Sequence, residues 1–501
     1  MSSNLAVPLV VTEEVGPKQS PNNRQSVIIS PTHVTAAMQS SRQYRLSKQS
    51  SGISIESSST SGEWHTAGGV GGAGQLSAFF NTANMCVGIG ILALPKALEF
   101  SGWALGVISL LVIAALTFYS VRLIVAVSAH LALQDIENND EYPSQRGGRV
   151  VTPGYAEVVR RCLGSSAGAL VTALLCVSQL GANTAYLIFI ASSLKTHFQI
   201  SMKSSLLGCI AVLSPICCLR SVKLLSLVSL VGIVCMAVGL IAAAFWAITA
   251  VVDTPEDDDD AAAALLSPAL NAANWETYPL FLGIASLSFE GVAAMALPIE
   301  NSMATPAKFP NVLGYAVVLI LILNLLFSCV MVVAVSSISD DVPGVITRAM
   351  PEGSTISRVV SACLSLELLC TYPGNAIPLF KLLERSTAAG RVFGGMRRLA
   401  RVTYFSIIRI VVVAFTGVTA FVLADAFDVF LSLVGSVANA SVLFVFPGMC
   451  FVASSTHEDD KRRYRWAAGL VVAFGLTAAV VGTAIGARTA LQGILPAGHS
   501  S

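Results

Sequence analysis

Two short stretches combine residues that break a helix with residues that bind small molecules. The first runs from Asn84 to Pro95, with Gly88 and Gly90 in the middle of an apolar segment. The second runs from Ser286 to Pro298 and gathers Ser286, Ser288, Phe289, Glu290 and Gly291 into six positions. A helix in lipid must satisfy its own backbone, so a break at membrane depth is tolerated only where the freed groups face protein, a cavity or a ligand. A half-helix that restarts after the break presents free N–H groups and the positive end of its dipole. The N–H groups of Ile89 to Leu92 would therefore suit a carboxylate. Carbonyls released near Met85 to Gly88 and near Ala285 to Phe289 would suit an ammonium group or a small cation. An anion cradle beside a ring of carbonyls matches a zwitterionic amino acid.

On this reading the substrate contacts are Asn84, Val87, Gly88, Ile89 and Gly90 from the first break and Ser286, Ser288, Phe289 and Gly291 from the second. A third apolar stretch adds Gln179, Asn183 and Tyr186, which fall near one helical face at spacings of four and three. Asn183 is expected to line the cavity; such polar residues also serve as hydrogen-bonded contacts between membrane helices. Glycines in membrane helices also serve close packing, but two breaks at matching positions favour a site.

Intramembrane carboxylates are costly and mark function. Glu290 reads either as a proton- or charge-coupling group or as a cap for the N–H groups of the broken helix. Glu367 reads as a structural partner for Arg409. A sodium site would draw on hydroxyls such as Ser361, Ser365 and Thr371. The six histidines lie outside the deep parts of the apolar segments, which argues against a buried histidine relay. No metal motif, nucleophile–base pair or phosphate-binding loop stands out, so neither a cofactor nor an enzyme activity is expected, and nothing points to nucleic acid. A proton is favoured over sodium as the coupling ion.

The elements that must hold these residues are membrane helices. The 501-residue chain is 54% hydrophobic and only 12% charged, with a mean hydropathy of +0.72, whereas a soluble domain carries about 25% charged residues. Spans of roughly 20 apolar residues are expected at about 77–100, 103–129, 166–193, 204–220, 224–252, 277–299, 312–337, 357–381, 403–424, 428–453 and 466–488. The two broken stretches are then the first and sixth spans, the leading members of two five-helix halves at about 77–252 and 277–453. Paired interruptions of this kind point to a binding site between inverted repeats. Residues 1–75 are rich in Ser, Thr, Gly, Asn and Gln and read as a disordered tail, a possible docking segment for a regulatory partner. The core is expected over 76–455, with an eleventh helix and a short tail in 456–501.

Loop charges orient the chain. With a cytosolic N-terminus, the inside segments carry 22 Lys and Arg and the outside segments five, the bias expected for cytosolic loops. Ten of the eleven cysteines fall inside apolar segments and read as small buried residues.

The motifs Asn81-Thr82-x-Asn84, Gly88-Ile-Gly90-Ile-Leu-Ala-Leu-Pro95 and Ser101-Gly-Trp103 resemble the first span of the amino acid/auxin permease family. Ser288-Phe-Glu-Gly291, Leu297-Pro-Ile-Glu-Asn301, Tyr372-Pro, Pro378-Leu-Phe, Ser432-Leu-Val-Gly-Ser436 and Phe446-Pro447 extend the resemblance over about residues 77–453. It implies an all-α membrane protein of eleven helices with a LeuT-like 5+5 inverted repeat and broken helices one and six. It also implies alternating-access transport of amino acids coupled to protons or sodium. The α-carboxylate would sit at the first break and the amine near the sixth-span break. The proton-coupled and vacuolar branches are the most similar, and the short outer loops favour an internal membrane. Lys96 departs from the aromatic or aliphatic residue usual after the proline. A sensor signalling through its tail is an alternative of a different class.

Overall fold

The computed structural model describes residues 74–84, 88–138, 152–218, 222–252, 271–339, 341–385, 398–454 and 458–494. The expected tail over 1–75 lies almost wholly outside the described residues, as does Val87. Every regular element among the described residues is helical. This follows from composition: long apolar runs poor in charge leave the backbone to pair within each segment.

The first broken stretch forms α1 (Gln75–Asn84) and α2 (Ile89–Ser101). Then come α3 (Trp103–Asn138), a short α4 (Tyr155–Leu163), α5 (Ser165–Phe198), α6 (Met202–Cys218) and α7 (Val222–Val252). The second broken stretch gives α8 (Tyr278–Leu287) and α9 (Glu290–Ser302). Next are α10 (Phe309–Ser336), α11 (Thr355–Arg385) and α12 (Arg398–Leu423). A 3-10 turn at Ala424–Ala426 leads to α13 (Phe427–Val434), which runs through π-helical turns at Gly435–Asn439 and Ser441–Val445 into α14 (Phe446–Ser454). The last element is α15 (Glu458–Ile494).

Eight stretches among the described residues are long and apolar enough to cross a membrane, and Met202–Cys218 is a shorter apolar helix. One of the eight, Thr403–Ser454, holds 52 residues and contains both the expected ninth and tenth spans, divided by the 3-10 turn. The expected first span is absent from the eight because its two pieces are ten and 13 residues long. The chain is a multi-pass, all-α membrane protein.

The two broken stretches cross. Helix α8 lies against α2, and α9 lies against α1, so each half of one break meets the opposite half of the other. Helix α8 also touches α13, the first π-helical turn and α15. There Gly283 and Gly435 let two backbones touch, since a Cβ on Gly435 would overlap the Gly283 carbonyl. Helix α11 lies mainly on α7 and α5, and α10 spans α1, α2, α3 and α7. Many side chains on the outer faces of α7, α10 and α12 are large, apolar and exposed, among them Ile241, Tyr315 and Val422. Lipid is the solvent that suits such a surface.

Helix α4 was not expected from the sequence, which reads as a polar loop there. It is tied down by the Tyr155 hydroxyl, which donates to the Val442 carbonyl at 2.5 Å. Arg161 spans Glu157 and Asp135 at 2.7 Å each.

Candidate functional site

The two breaks differ in form. Gly88 is the N-cap of α2 in an extended conformation and offers no capping side chain, and the first turn of α2 carries no acidic residue. Apart from Ile91, which donates to the Gly88 carbonyl at 3.2 Å, the start of α2 has the free N–H groups of any helix N-terminus. The second break spans only Ser288 and Phe289. It is tight: Phe289 N–H donates to the Ser286 carbonyl at 3.3 Å and Val292 N–H to the Phe289 carbonyl at 3.2 Å. Ser288 Oγ donates to the Ala285 carbonyl at 2.8 Å. The carbonyls of Ala285, Ser286 and Phe289 therefore each have one lone pair committed, and the open carbonyl ring expected from the sequence is largely closed.

The breaks touch. A Cβ on Gly90 would stand 2.5 Å from Ser288 Cα and 2.9 Å from Ser288 N. Only a residue without a side chain allows α2 to come this close. A small cavity of about 40 Å³ opens beside the contact, lined by Gly88, Ile89, Gly90, Glu290 and Gly291, with Gln179, Ala182 and Tyr186 from α5 and Asn375 from α11. That volume holds one or a few waters.

Glu290 occupies the first turn of α9, where a carboxylate complements the N-terminal dipole. Its Oε1 meets the Ser178 hydroxyl of α5, and the same hydroxyl lies 2.6 Å from Asn439 Oδ1 in the π-helical turn. Ser178 has one proton for these two oxygens, so the network is completed either by a proton on Glu290 or by the Asn439 amide turned to present its Nδ2, which has no partner as placed. Two helix N-termini thus border one cavity: α9 brings its own anion and α2 brings none.

Among the expected contacts, Gly88, Ile89, Gly90 and Gly291 line the cavity with Glu290. Asn84 is the last residue of α1 and is not among the lining residues. Asn183 is buried and accepts a hydrogen bond from Asn375 at 3.3 Å, one residue behind the cavity wall. Ser286 and Ser288 are buried, but their hydroxyls turn to their own helix, Ser286 to the Leu282 carbonyl at 2.7 Å. Ser288 also accepts from Asn324 at 3.2 Å. Phe289 is fully buried in the core. Ser361 and Ser365 are buried with hydroxyls lacking partners, while Thr371 donates to Glu367 at 2.8 Å.

The expected Glu367–Arg409 pair gives way to other contacts. Arg409 donates to the Cys217 carbonyl at 2.8 Å and lies 5.2 Å over the Phe380 ring. Phe380 is 13 residues past Glu367 on α11, or about 20 Å of helix, which is too far for an ion pair. Residues missed at the site include Ser178, Ala182 and Met295. Ser178 lies one position before Gln179, so its place in the same polar stretch was the available signal.

Lys96, the departure noted after Pro95, is 9% exposed and ties the far end of α2 to Asp341 at 2.6 Å and Glu99 at 3.1 Å. A buried lysine needs such partners, which explains how a charge is accommodated at that position.

A family model described as transmembrane amino acid transporter protein matches residues 71–487 of the chain. The chain is 24% identical over 405 residues to vacuolar amino acid transporter 3 of Saccharomyces cerevisiae, covering 78% of this chain and 53% of that protein. It is 25% identical over 389 residues to amino acid transporter ANT1 of Arabidopsis thaliana, covering 75% and 84%. It spans about half the length of the Saccharomyces cerevisiae relative and of vacuolar amino acid transporter 3 of Schizosaccharomyces pombe, to which it is 23% identical. A solved structure of a mutant manganese transporter from Eremococcus coleocola aligns with 87% of this chain and 92% of its own at 13% identity, with a TM-score of 0.48.

Proposed function

This chain belongs to the transmembrane amino acid transporter family, and on that footing we propose that it is a secondary active transporter of small or neutral amino acids, driven by protons through alternating access. The family is one of transporters, not enzymes. The observation that carries the reading is the cavity where the two breaks cross, with one helix N-terminus free of an anion and the other holding Glu290. A substrate carboxylate sits against the N–H groups at Gly88 to Gly90, where a positive dipole end is unclaimed. The substrate ammonium group turns toward Glu290 and the polar groups of Gln179 and Tyr186. A cavity with room for one or a few waters favours small side chains and must widen when substrate enters.

Proton coupling rests on Glu290. Its Oε1 meets the Ser178 hydroxyl in a buried network with Asn439, and protonating an intramembrane carboxylate removes the cost of a buried charge. Helix pairs that meet half to opposite half are what two inverted five-helix repeats produce, and rocking of one repeat against the other would open the cavity to either side. The relatives named as vacuolar and the short outer loops favour an endomembrane, with the basic loops and N-terminus in the cytosol. Sodium coupling is the second reading, supported by the unpartnered buried hydroxyls of Ser361 and Ser365. A regulatory partner for the tail belongs to residues outside those described, and a deletion of 1–73 tests it.

The deciding experiment is uptake into proteoliposomes with a panel of radiolabelled amino acids, under a proton gradient or a sodium gradient alone. Accumulation driven by the proton gradient, with a pH profile changed in Glu290→Gln, is the expected result. Accumulation only with sodium selects the second reading, and no exchange of any amino acid rejects both.

A further inference from the structure

Two buried carboxylates, Glu300 on α9 and Glu367 on α11, lie outside the cavity wall and have no role in the reading above. Glu367 is 3% exposed near the middle of α11. Its Oε1 accepts from Thr371, and its Oε2 has no hydrogen-bond partner. An ionised carboxylate with one buried oxygen unpartnered is costly, and a proton on that oxygen would remove the buried charge.

The surroundings point to the proton. Among the described residues, the titratable groups near Glu367 are neutral or acidic in kind. Tyr186 of α5 and Cys370 of its own helix interact with it electrostatically. Helix α7 brings Cys235 next to Cys363 and Cys370. Helix α6 brings Cys217, which lies near Tyr372. Arg409 of α12 is engaged near Phe380, and Arg348 of the turn before α11 donates to Ser192 at 2.6 Å.

Two routes join Glu367 to the cavity. Glu367, Thr371 and Asn375 recur every four residues and so form one ridge of α11; Asn375 lines the cavity. Tyr186 also lines the cavity and lies within electrostatic range of both Glu290 and Glu367. Ser361 and Ser365 continue the unpartnered, buried polar groups toward the start of α11.

We infer that Glu367 is a second proton-binding site of the transport cycle, linked to the substrate cavity through Thr371, Asn375 and Tyr186. The inference rests on the transport reading above. A proton adds to the carboxylate from water on one side of the membrane, travels as the neutral acid while the cavity is closed, and leaves to water on the other side. No other atom is transferred.

The test compares two assays on full-length wild type, Glu367→Gln and Glu367→Asp in proteoliposomes, using a mixture of radiolabelled neutral amino acids. One is accumulation driven by a proton gradient; the other is counterflow exchange without a gradient. Glu367→Gln should lose gradient-driven accumulation by about tenfold, within the usual range of coupling between linked sites, while counterflow falls much less. Glu367→Asp should keep the drive with a displaced pH profile. Gradient-driven accumulation in Glu367→Gln equal to wild type overturns the inference. If Glu367→Gln does not fold, Glu367→Asp decides: an unchanged pH profile overturns the inference, and a displaced one upholds it. Absence of counterflow in wild type instead rejects the transport reading itself.

Discussion

Substituting Gly90 by alanine adds one methyl group at the point where the two broken helices touch. The new Cβ would lie 2.5 Å from Ser288 Cα and 3.0 Å from Ser288 Cβ. Carbon atoms rest about 3.5–4.0 Å apart, so at least about 1 Å of separation must be found. Ser288 cannot rotate out of the way, because the nearest atoms are backbone. Its N–H is held by the Ile284 carbonyl at 3.1 Å, and its hydroxyl is shared between Ala285 and Asn324. The remaining freedom is to part α2 from α8. Overpacking of this kind costs about 1–3 kcal/mol. If the strain falls on the substrate-bound state, that range weakens binding by about 5- to 150-fold; if it falls on the fold, the thermal midpoint drops. The assay is proteoliposome uptake with KM and maximal rate, alongside a thermal unfolding scan in detergent. Gly469→Ala is the control, because nothing lies within 4 Å of the added carbon there. Wild-type KM, rate and thermal midpoint in Gly90→Ala would refute the claim that the close approach of the two breaks builds the site.

Three further outcomes follow from the same geometry. Ser178→Ala removes the donor shared by Glu290 and Asn439 and should cost about 1–3 kcal/mol; in a double-mutant cycle with Glu290→Gln the two losses should be less than additive, and full additivity in thermal scans would count against the network. Lys96→Met leaves Glu99 half-buried without its partner, while Asp341, 77% exposed at its side chain, can hydrate. The expected loss is about 2 kcal/mol, between the limits for exposed and buried pairs, and adding Glu99→Leu should recover most of it. On α4, hydrogen bonds from Arg160 and then Arg161 hold the Glu157 carboxyl down to about 2. A folded-state value below the unfolded one stabilises at pH values above the ordinary carboxylate range and is lost as pH falls toward 2. The small stability gap between wild type and Glu157→Gln should therefore stay flat through neutral pH and close in strong acid; a gap that widened on acidification would contradict the pairing.

Much of the candidate site was legible in the sequence. The pairs Gly88/Gly90 and Glu290/Gly291 mark the two breaks, and all four residues line the cavity. Gln179 and Tyr186 were placed on one helical face and do reach it. Ser286 and Ser288 were legible only as polar groups near a break. Their hydroxyls turn to carbonyls of their own helix, a choice of rotamer that residue type does not fix. Glu367 and Arg409 were paired because both are charged and sit in consecutive spans, but charge and chain order carry no information on depth along two packed helices.

The sequence by itself determined that the chain is a bundle of membrane helices, where two of them break, and that Glu290 and Glu367 lie within the apolar spans; it missed Glu300, buried in the stretch Tyr278–Ser302. Those are properties of single segments, set by the need of each backbone to satisfy its own hydrogen bonds in lipid. The tertiary structure decided that Gly90 meets Ser288, that Glu290 and Asn439 share the Ser178 hydroxyl, and that Glu367 has an oxygen without a partner. These depend on how each helix is rotated and where it crosses its neighbours. Core-facing sides carry polar residues such as Asn183, Asn324 and Glu367 but are otherwise apolar, as lipid-facing sides are, so the hydropathy pattern that orients a helix in a soluble protein gives little guidance. The crossing angles had to come from the contacts themselves.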